Sequence, residues 1–348
     1  MSNKTLKFID FCAGIGGGRI GLETNRLTCI AYSEIDRDAD SSYKCFYGNK
    51  EPNIGDLMTT DISAIPDFDL MISGFPCQTF SSVGKREGFD SERGQIIFGL
   101  MKILKEKKIP YFILENVKGF VNHDKGNSIN TVLSELDKIG YDVYWKVLNS
   151  LDFGVPQSRE RVYIVGIRKD VKHTPIQWNT NITLNLTLKN CLDELHGEPI
   201  SIYNKSWQRY LNTDKNKGKF IEEELLSEDY LIIDRRNSDM RLYREKIPTL
   251  RRGNHGLFYV YQKNLYKLNG YQALLLQGFP REFIYKAKAA NISPNKLLSQ
   301  CGNAMTVNVV QIVCKLLLNS LQIKNAENKS CSLHQLIVQV EILYSQVS

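Results

Sequence analysis

Apolar positions fall along this chain in two periods. Short runs bounded by turn residues occur at 7–12 (KFIDFC), 28–33 (TCIAYS), 69–73 (DLMIS), 111–114 (YFIL) and 161–168 (RVYIVGIR), and each predicts a buried strand. Between them, GGRIGLE at Gly17–Glu23 and QIIFGLMKILKEKK at 95–108 carry apolar residues at helical spacing. Strands alternating with helices predict an α/β fold, a doubly wound and mostly parallel sheet, over about the first 170 residues. Beyond 171 the alternation weakens into short strand-like pieces and polar stretches such as NTDKNKGK, which predicts a second, smaller domain. AMTVNVVQIVCKLLL at 304–318 predicts a long apolar helix that returns to the first domain. The expected division is therefore 1–170 plus 299–320, then 171–298, with 321–348 as an extension of unassigned role.

Composition narrows the class. A chain of 348 residues, 42% hydrophobic and 24% charged, can bury a full core without disulfides or metals. It holds no apolar run of eighteen or more, and its first residues lack the apolar stretch of a signal peptide, so a cytoplasmic protein without membrane segments is expected. Eight cysteines form no CxxC pair and match no zinc template, which predicts reduced, mostly buried thiols and no metal. A net charge of +7 suits a polyanionic partner.

Two groups of residues carry candidate chemistry. In FIDFCAGIGGGRIGLE a strand gives way to a helix, and Gly14, Gly16 and Gly17 let the backbone turn tightly against a ligand. Such a turn also fits nicotinamide or flavin proteins, or no ligand at all. Glu34, about twenty residues on, could accept from ribose hydroxyls or be a solvated loop acid. Asp56 in NIGDL could accept from an adenine amino group. Together they suit an adenosine-containing cofactor, either a dinucleotide or S-adenosylmethionine.

The second group begins with GFPCQTFSSVGKREGFD. Here Cys77 follows Pro76 directly after a strand, at the sheet edge where doubly wound folds bind ligands. A lone cysteine is ordinarily a core thiol. FILENVKGF ends another strand at Glu115 and Asn116, and DFGVPQSRERVYIVGIR puts Gln157, Arg159 and Arg161 just before or within a third. Taken singly, the carboxylate could be a cap and the arginines a surface stripe.

Taken in order, FCAGIGGG, FPCQTFSSVG, ENV, QSRER and CGNAMTVNVV resemble the bacterial DNA (cytosine-5)-methyltransferase family of restriction-modification systems, over roughly residues 6–168 and 265–312. The resemblance implies the S-adenosylmethionine-dependent methyltransferase fold and transfer of a methyl group to carbon 5 of a flipped-out cytosine within a short double-stranded DNA sequence. It implies Cys77, Glu115, Arg159 and Arg161 as catalytic residues. For S-adenosyl-L-methionine it implies Ala13, Gly14, Ile15, Gly16, Gly17, Glu34, Ile35, Asp56, Leu57, Pro76, Ile96, Asn303 and Met305. Residues 171–262 correspond to the family's variable target-recognition region, matched at Thr249-Leu250. Expected DNA contacts are Gln78, Ser81, Arg93, Gln157, Arg235, Arg236, Arg241, Thr249, Arg251 and Arg252. A monomer is expected, with a cognate restriction endonuclease acting separately.

The chemistry suits these residue types. Carbon 5 of cytosine becomes nucleophilic when a thiolate adds to carbon 6, which is covalent catalysis by an activated cysteine. A protonated Glu115 could donate to N3, Arg161 to O2, and Arg159 would support Glu115. The target base must leave the duplex stack to be reached. The chain departs from the family at Cys12, where an aromatic residue is usual, at Gly270-Tyr271-Gln272, where Pro-Arg-Glu is usual, and at Leu275, where an arginine is usual. Three other readings are a tRNA cytosine-5 methyltransferase, a catalytically silent DNA-binding protein on this scaffold, and a nicotinamide oxidoreductase. Phe75 before Pro76, the Cys77–Glu115–Arg159–Arg161 set and the Pro-Cys-Gln motif argue against them in turn.

Overall fold

The computed structural model describes residues 5–76, 95–179, 186–193, 195–253 and 255–322. Cys77, Gln78, Ser81 and Arg93 lie outside them. The strands are β1 (Lys7–Phe11), β2 (Thr28–Ser33), β3 (Leu70–Gly74), β4 (Tyr111–Val117), β5 (Tyr141–Asn149), β6 (Gln157–Ser158), β7 (Glu160–Arg168), β8 (Ile232–Asp234), β9 (Arg241–Tyr243), β10 (Ile247–Pro248), β11 (Leu257–Tyr261) and β12 (Asn264–Lys267). The helices of the first half are α1 (Gly17–Glu23), α2 (Arg37–Tyr47), α3 (Ile96–Lys107), α4 (Gly119–Asn122) and α5 (Asn127–Lys138). Those of the second half are α6 (Leu188–Leu192), α7 (Lys205–Leu211), α8 (Glu222–Leu226), α9 (Gly270–Leu276), α10 (Glu282–Ala289), α11 (Pro294–Asn303) and α12 (Val307–Ser320).

A six-stranded sheet runs in the order β2-β1-β3-β4-β7-β5. Its first four strands are parallel, as their near-continuous apolar runs predict for strands covered on both faces. β7 runs antiparallel to both β4 and β5, so the sheet is mostly parallel but mixed. β5 was not among the predicted strands. It forms the sheet edge, and its half-exposed side chains, including Trp145 at 39% exposure, blur the buried-strand signal.

One apolar cluster covers one face with α3 and α5, around Ile97, Leu100, Leu104, Val132 and Leu136. Another covers the opposite face, where Val309, Val310, Val313 and Leu317 of α12 meet Phe8, Leu70 and Ile72. The apolar stretch at 304–318 is therefore a core helix beside α1, as its return to the first segment requires. It begins at Val307 rather than Ala304, because Ala304 and Thr306 hold extended backbone (ψ 145° and 119°) between α11 and α12.

The remaining strands build a small antiparallel sheet, β12-β11-β8-β9, over its own core of Trp207, Ile233, Phe258 and Val260. β10 pairs with β6, Ile247 opposite Gln157, and ties this sheet's neighbourhood to the start of β7. A further cluster joins Ile15, Ile20 and Phe46 to Leu274, Leu276, Phe283 and Leu298, so α9–α11 share a core with the first segment. The altered segment at 270–275 has its own packing. Asn269 caps α9 in a reciprocal box with Gln272, and Gln272 donates to Leu192 O (3.1 Å) and the Tyr259 hydroxyl (2.7 Å).

Candidate active site

The carboxyl ends of β1, β3 and β4 meet at one edge of the large sheet, with Gly74 opposite Glu115 in register. Gly74 has no side chain to separate its neighbours. A Cβ there would lie 3.5 Å from Glu115 Oε2 and 3.5 Å from Met305 Cγ. This edge leads through Phe75 and Pro76 toward Cys77. The Asn116 amide donates to Phe75 O at 3.3 Å, holding the chain just ahead of the cysteine.

Glu115 is 7% exposed, and Arg161 Nε stands 3.1 Å from its Oε1. Burial pushes the Glu115 carboxyl above its usual range, more strongly than Arg161 and Arg159 pull it down. The protonated form of the carboxyl is thereby favoured relative to a solvated glutamate. Arg161 also donates through Nη1 to Glu160 O at 2.8 Å, and the Glu160 carboxylate is held by Lys118.

Arg159 is anchored on backbone carbonyls. Its guanidinium is 2% exposed and donates to the carbonyls of Leu250 (3.1 Å), Gly302 (3.2 Å) and Ala304 (2.9 Å). Its charge reaches Glu115 as a field, and its hydrogen bonds pin together the 249–250 and 302–304 segments. Gln157, expected on DNA, is completely buried. Its amide donates to Leu276 O (2.9 Å) and accepts from Leu250 N (3.0 Å), so both ends serve the interior.

Other expected DNA contacts have partners within the protein. Arg236 forks onto Asp234 (2.8 Å from both Nε and Nη2) and donates to Thr249 O, in a pair whose side chains are almost wholly buried. The Thr249 hydroxyl donates to Ser158 O at 2.7 Å. Arg235 lies among Trp207, Tyr210 and Phe258, 4.6–5.6 Å from their ring centres, and donates to Ser206 O. Arg236 is an internal clamp, whereas Arg235 and Thr249 are held by protein partners but remain partly exposed. Arg241, Arg251 and Arg252 are exposed. Arg241 faces Asp239 at 3.4 Å and Arg252 faces Asp36 at 3.2 Å, surface pairs that compete weakly with a phosphate. Burial lowers the Arg251 pKa first, and the like charges of Arg236 and Arg241 lower it further, so cations crowd here.

The glycine turn after β1 stands at the same edge. Gly14 N donates to Glu34 Oε2 (2.7 Å) and Asp36 N to Glu34 Oε1 (2.8 Å), which orients the carboxylate and leaves each oxygen a further lone pair. Ile35 is 68% exposed, Asp56 is exposed, and a Cβ on Gly14 would meet nothing within 4 Å. An exposed apolar side chain, an oriented carboxylate, a second acid and a bare backbone turn fit an adenosine-bearing ligand.

Several other expected cofactor residues face inward. Ile15 is fully buried in the core, Ala13 packs on Tyr32 and Tyr43, and Leu57 is buried. Met305 packs its carbonyl against Gly17 and its side chain against Gly18. Their main chains are what they can offer a ligand. Gly16 and Gly17 form the turn itself. Pro76 and Ile96 are half-exposed, and Asn303 is exposed at the end of α11.

At the position of the family's usual aromatic ring, Cys12 takes a left-handed backbone (φ 53°), and burial pushes its thiol up to about 12. Phe11 points into the core against Phe68. Sequence reasoning missed Asp10, completely buried below the turn with its carboxyl raised by burial, and Gln277, which bridges Cys301 O (2.6 Å), Thr306 and Gln157. An acid inside a strand run could have flagged the first. The second carries no local signal.

Known proteins resemble the chain along nearly its whole length. The C-5 cytosine-specific DNA methylase family matches residues 6–319. The Type II methyltransferase M.DsaV of Dactylococcopsis salina is 33% identical, covering 97% of this chain and 94% of its own. M.HaeII of Haemophilus aegyptius is 35% identical (91% and 94%), and M.HhaI of Haemophilus parahaemolyticus 31% (92% and 96%). Among solved structures, the Entamoeba histolytica methyltransferase EhMeth aligns with a TM-score of 0.68 at 16% identity, over 92% of this chain and 99% of that one. The S. pombe Dnmt2 methyltransferase aligns at 0.65 and 18%, over 91% and 100%, and both likenesses speak for the fold.

Proposed function

The chain belongs to the C-5 cytosine-specific DNA methylase family, and from that premise we propose how its own residues perform and direct the reaction. It is a DNA (cytosine-5)-methyltransferase whose methyl donor is S-adenosyl-L-methionine. When bound, the donor supplies an electrophilic methyl group.

The assignment of roles rests on one observation above all: a buried Glu115 with a raised pKa, 3.1 Å from Arg161, at the sheet edge where Pro76 leads into Cys77. Cys77 is the nucleophile that adds to carbon 6 of the flipped-out cytosine. Glu115 keeps a proton for N3, which relieves the negative charge that thiolate addition pushes into the ring. Arg161 orients Glu115 and donates to O2. Arg159 acts at a distance, by its field on Glu115 and by tying Leu250 to the 302–304 turn. Carbon 5, made nucleophilic by the addition, gains the methyl group, and its proton then passes to solvent water. The C–H electron pair re-forms the ring double bond as the bond to Cys77 breaks and the thiolate leaves, and the N3 proton returns to Glu115. Gly14, Glu34, Ile35 and Asp56 hold the adenosine part of the donor.

We assign target recognition to residues 171–298, with backbone contacts from Arg241, Arg251 and Arg252 and from Gln78, Ser81 and Arg93. The relatives' Type II names support a single short recognition sequence and a cognate restriction endonuclease acting on it. Conversion sequencing of DNA from a methylation-free host expressing this chain should find protected cytosines in one short context. No protected cytosine, with the protein soluble and folded, would overturn the reading.

The arginine patch makes its own prediction. The Arg251→Ala, Arg252→Ala double variant should bind duplex DNA more weakly, equally for target and non-target sequences. Its plot of log affinity against log salt should flatten by about 0.9 for each phosphate that is no longer neutralised, hence by about 2. An unchanged slope in a titration from low to moderate salt would remove both residues from the interface.

A further inference from the structure

The glycine turn is gripped from beneath by a side chain that touches no reacting atom. The Tyr47 hydroxyl, at the end of α2, donates to Gly16 O at 2.7 Å and stands 3.4 Å from Ile15 O. Gly16 has left-handed backbone (φ 81°, ψ 29°), and a Cβ there would fall 2.5 Å from the Tyr47 ring edge and hydroxyl. The turn and the phenol are therefore fitted to each other. The Gly16 carbonyl accepts twice, from Ile20 N at 3.2 Å along α1 and from Tyr47 across it. Two donors on one oxygen fix the plane of the Gly16–Gly17 peptide.

The ring of Tyr47 is fixed in turn. The Arg19 guanidinium lies 4.3 Å from its centre, itself held by Glu23 (2.9 Å) and Glu51 (3.1 Å). Tyr43 packs on it at 4.6 Å and Phe283 at 5.5 Å. Burial raises the pKa of the phenol, so it remains a donor at neutral pH.

We propose that Tyr47 is a positioning residue for S-adenosyl-L-methionine: its hydroxyl presets the Gly14–Gly17 turn in the shape that receives the donor. The proposal rests on the assignment of that turn to the cofactor. Preorganisation lowers the cost of binding without adding a contact, and the hydroxyl is a single hydrogen bond that phenylalanine removes while keeping the ring.

The test measures dissociation constants of S-adenosyl-L-methionine and S-adenosylhomocysteine by titration calorimetry on the full chain, with duplex DNA affinity read separately. Tyr47→Phe should weaken both cofactor constants by roughly three- to tenfold and leave DNA affinity in place. Tyr43→Phe is the control for packing: its hydroxyl belongs to the same aromatic group, 3.4 Å from Arg19, but does not touch the turn. It should bind the cofactor as the unaltered chain does. Equal weakening by both variants would reduce Tyr47 to a packing residue and overturn the proposal. Unchanged binding in Tyr47→Phe would also overturn it. Glu34→Ala then separates the two readings: weakened binding there keeps the cofactor site and discards Tyr47, whereas unchanged binding in both discards the site assignment itself.

Discussion

Cys77→Ser is expected to abolish methyl transfer while DNA binding survives. The adduct at carbon 6 needs an ionised, polarisable nucleophile. A cysteine ionises near pH 8.5 unaided and lower beside a cation, whereas a serine hydroxyl stays protonated without a dedicated base. The loss should be on the order of 10⁴-fold or more in single-turnover rate, as for other covalent catalysts stripped of their nucleophile. The buried thiols among the described residues are poor substitutes. Burial pushes Cys12, Cys29 and Cys191 up to about 12, and Cys301 and Cys314 further still, so their thiolates are scarce at neutral pH. Transfer of labelled methyl groups to duplex DNA, beside a gel-shift measurement of affinity, checks the prediction. Turnover retained in a purified Cys77→Ser sample would sink the assigned mechanism.

The fold and the centre of the site were legible for different reasons. β1, β2, β3 and β4 lie inside a parallel sheet covered on both faces, so each leaves a continuous apolar run. β5 sits at the edge with Trp145 and Lys146 exposed, and its alternation is diluted. Glu115 and Arg161 were legible as strand-end residues: Glu115 lies near the carboxyl end of β4 and Arg161 at the amino end of β7, and the antiparallel register of these two strands brings those ends together. The arginines of 235–252 were not. A sequence gives their charge but not what lies opposite, and for Arg235 and Arg236 that is aromatic rings, Asp234 and backbone carbonyls. Gln157 illustrates the same limit, since an amide can read a base edge or bracket two buried segments with the same atoms. The clamps also explain how distant parts share one geometry. Arg159, Gln157 and Gln277 bind Leu250, Leu276 and the 302–304 turn, and Met305 beyond that turn presses on Gly17. The 249–250 segment, the start of β7 and the 302–304 turn thus hang on one buried polar network, which packs through Met305 onto the glycine turn and which no local motif announces.

Glu115→Gln should slow chemistry by roughly 10²–10⁴-fold in single turnover with little change in duplex affinity. The carboxamide can still donate a hydrogen bond at N3, but it has no proton to give as charge builds on the ring. The variant should also show why the site is costly. Burial raises the Glu115 pKa in the folded protein above its unfolded value. The sign then follows from linkage: the stabilising contribution of the protonated form is complete below the unfolded pKa and is lost as pH rises through the folded one. Glutamine at this position does not titrate. The unaltered protein should therefore lose stability relative to Glu115→Gln as pH rises above the ordinary carboxylate range, and the two should converge in acid. Arg161, 3.1 Å away, reduces the difference without reversing it, since burial is the larger effect. Thermal unfolding of both proteins across that pH range, with single-turnover rates on the same samples, reads both consequences of one proton. A rate unaffected by the substitution would remove Glu115 from the chemistry. A stability difference that narrowed with rising pH would mean that Arg161, not burial, governs the carboxyl, and that Glu115 meets the cytosine as an anion.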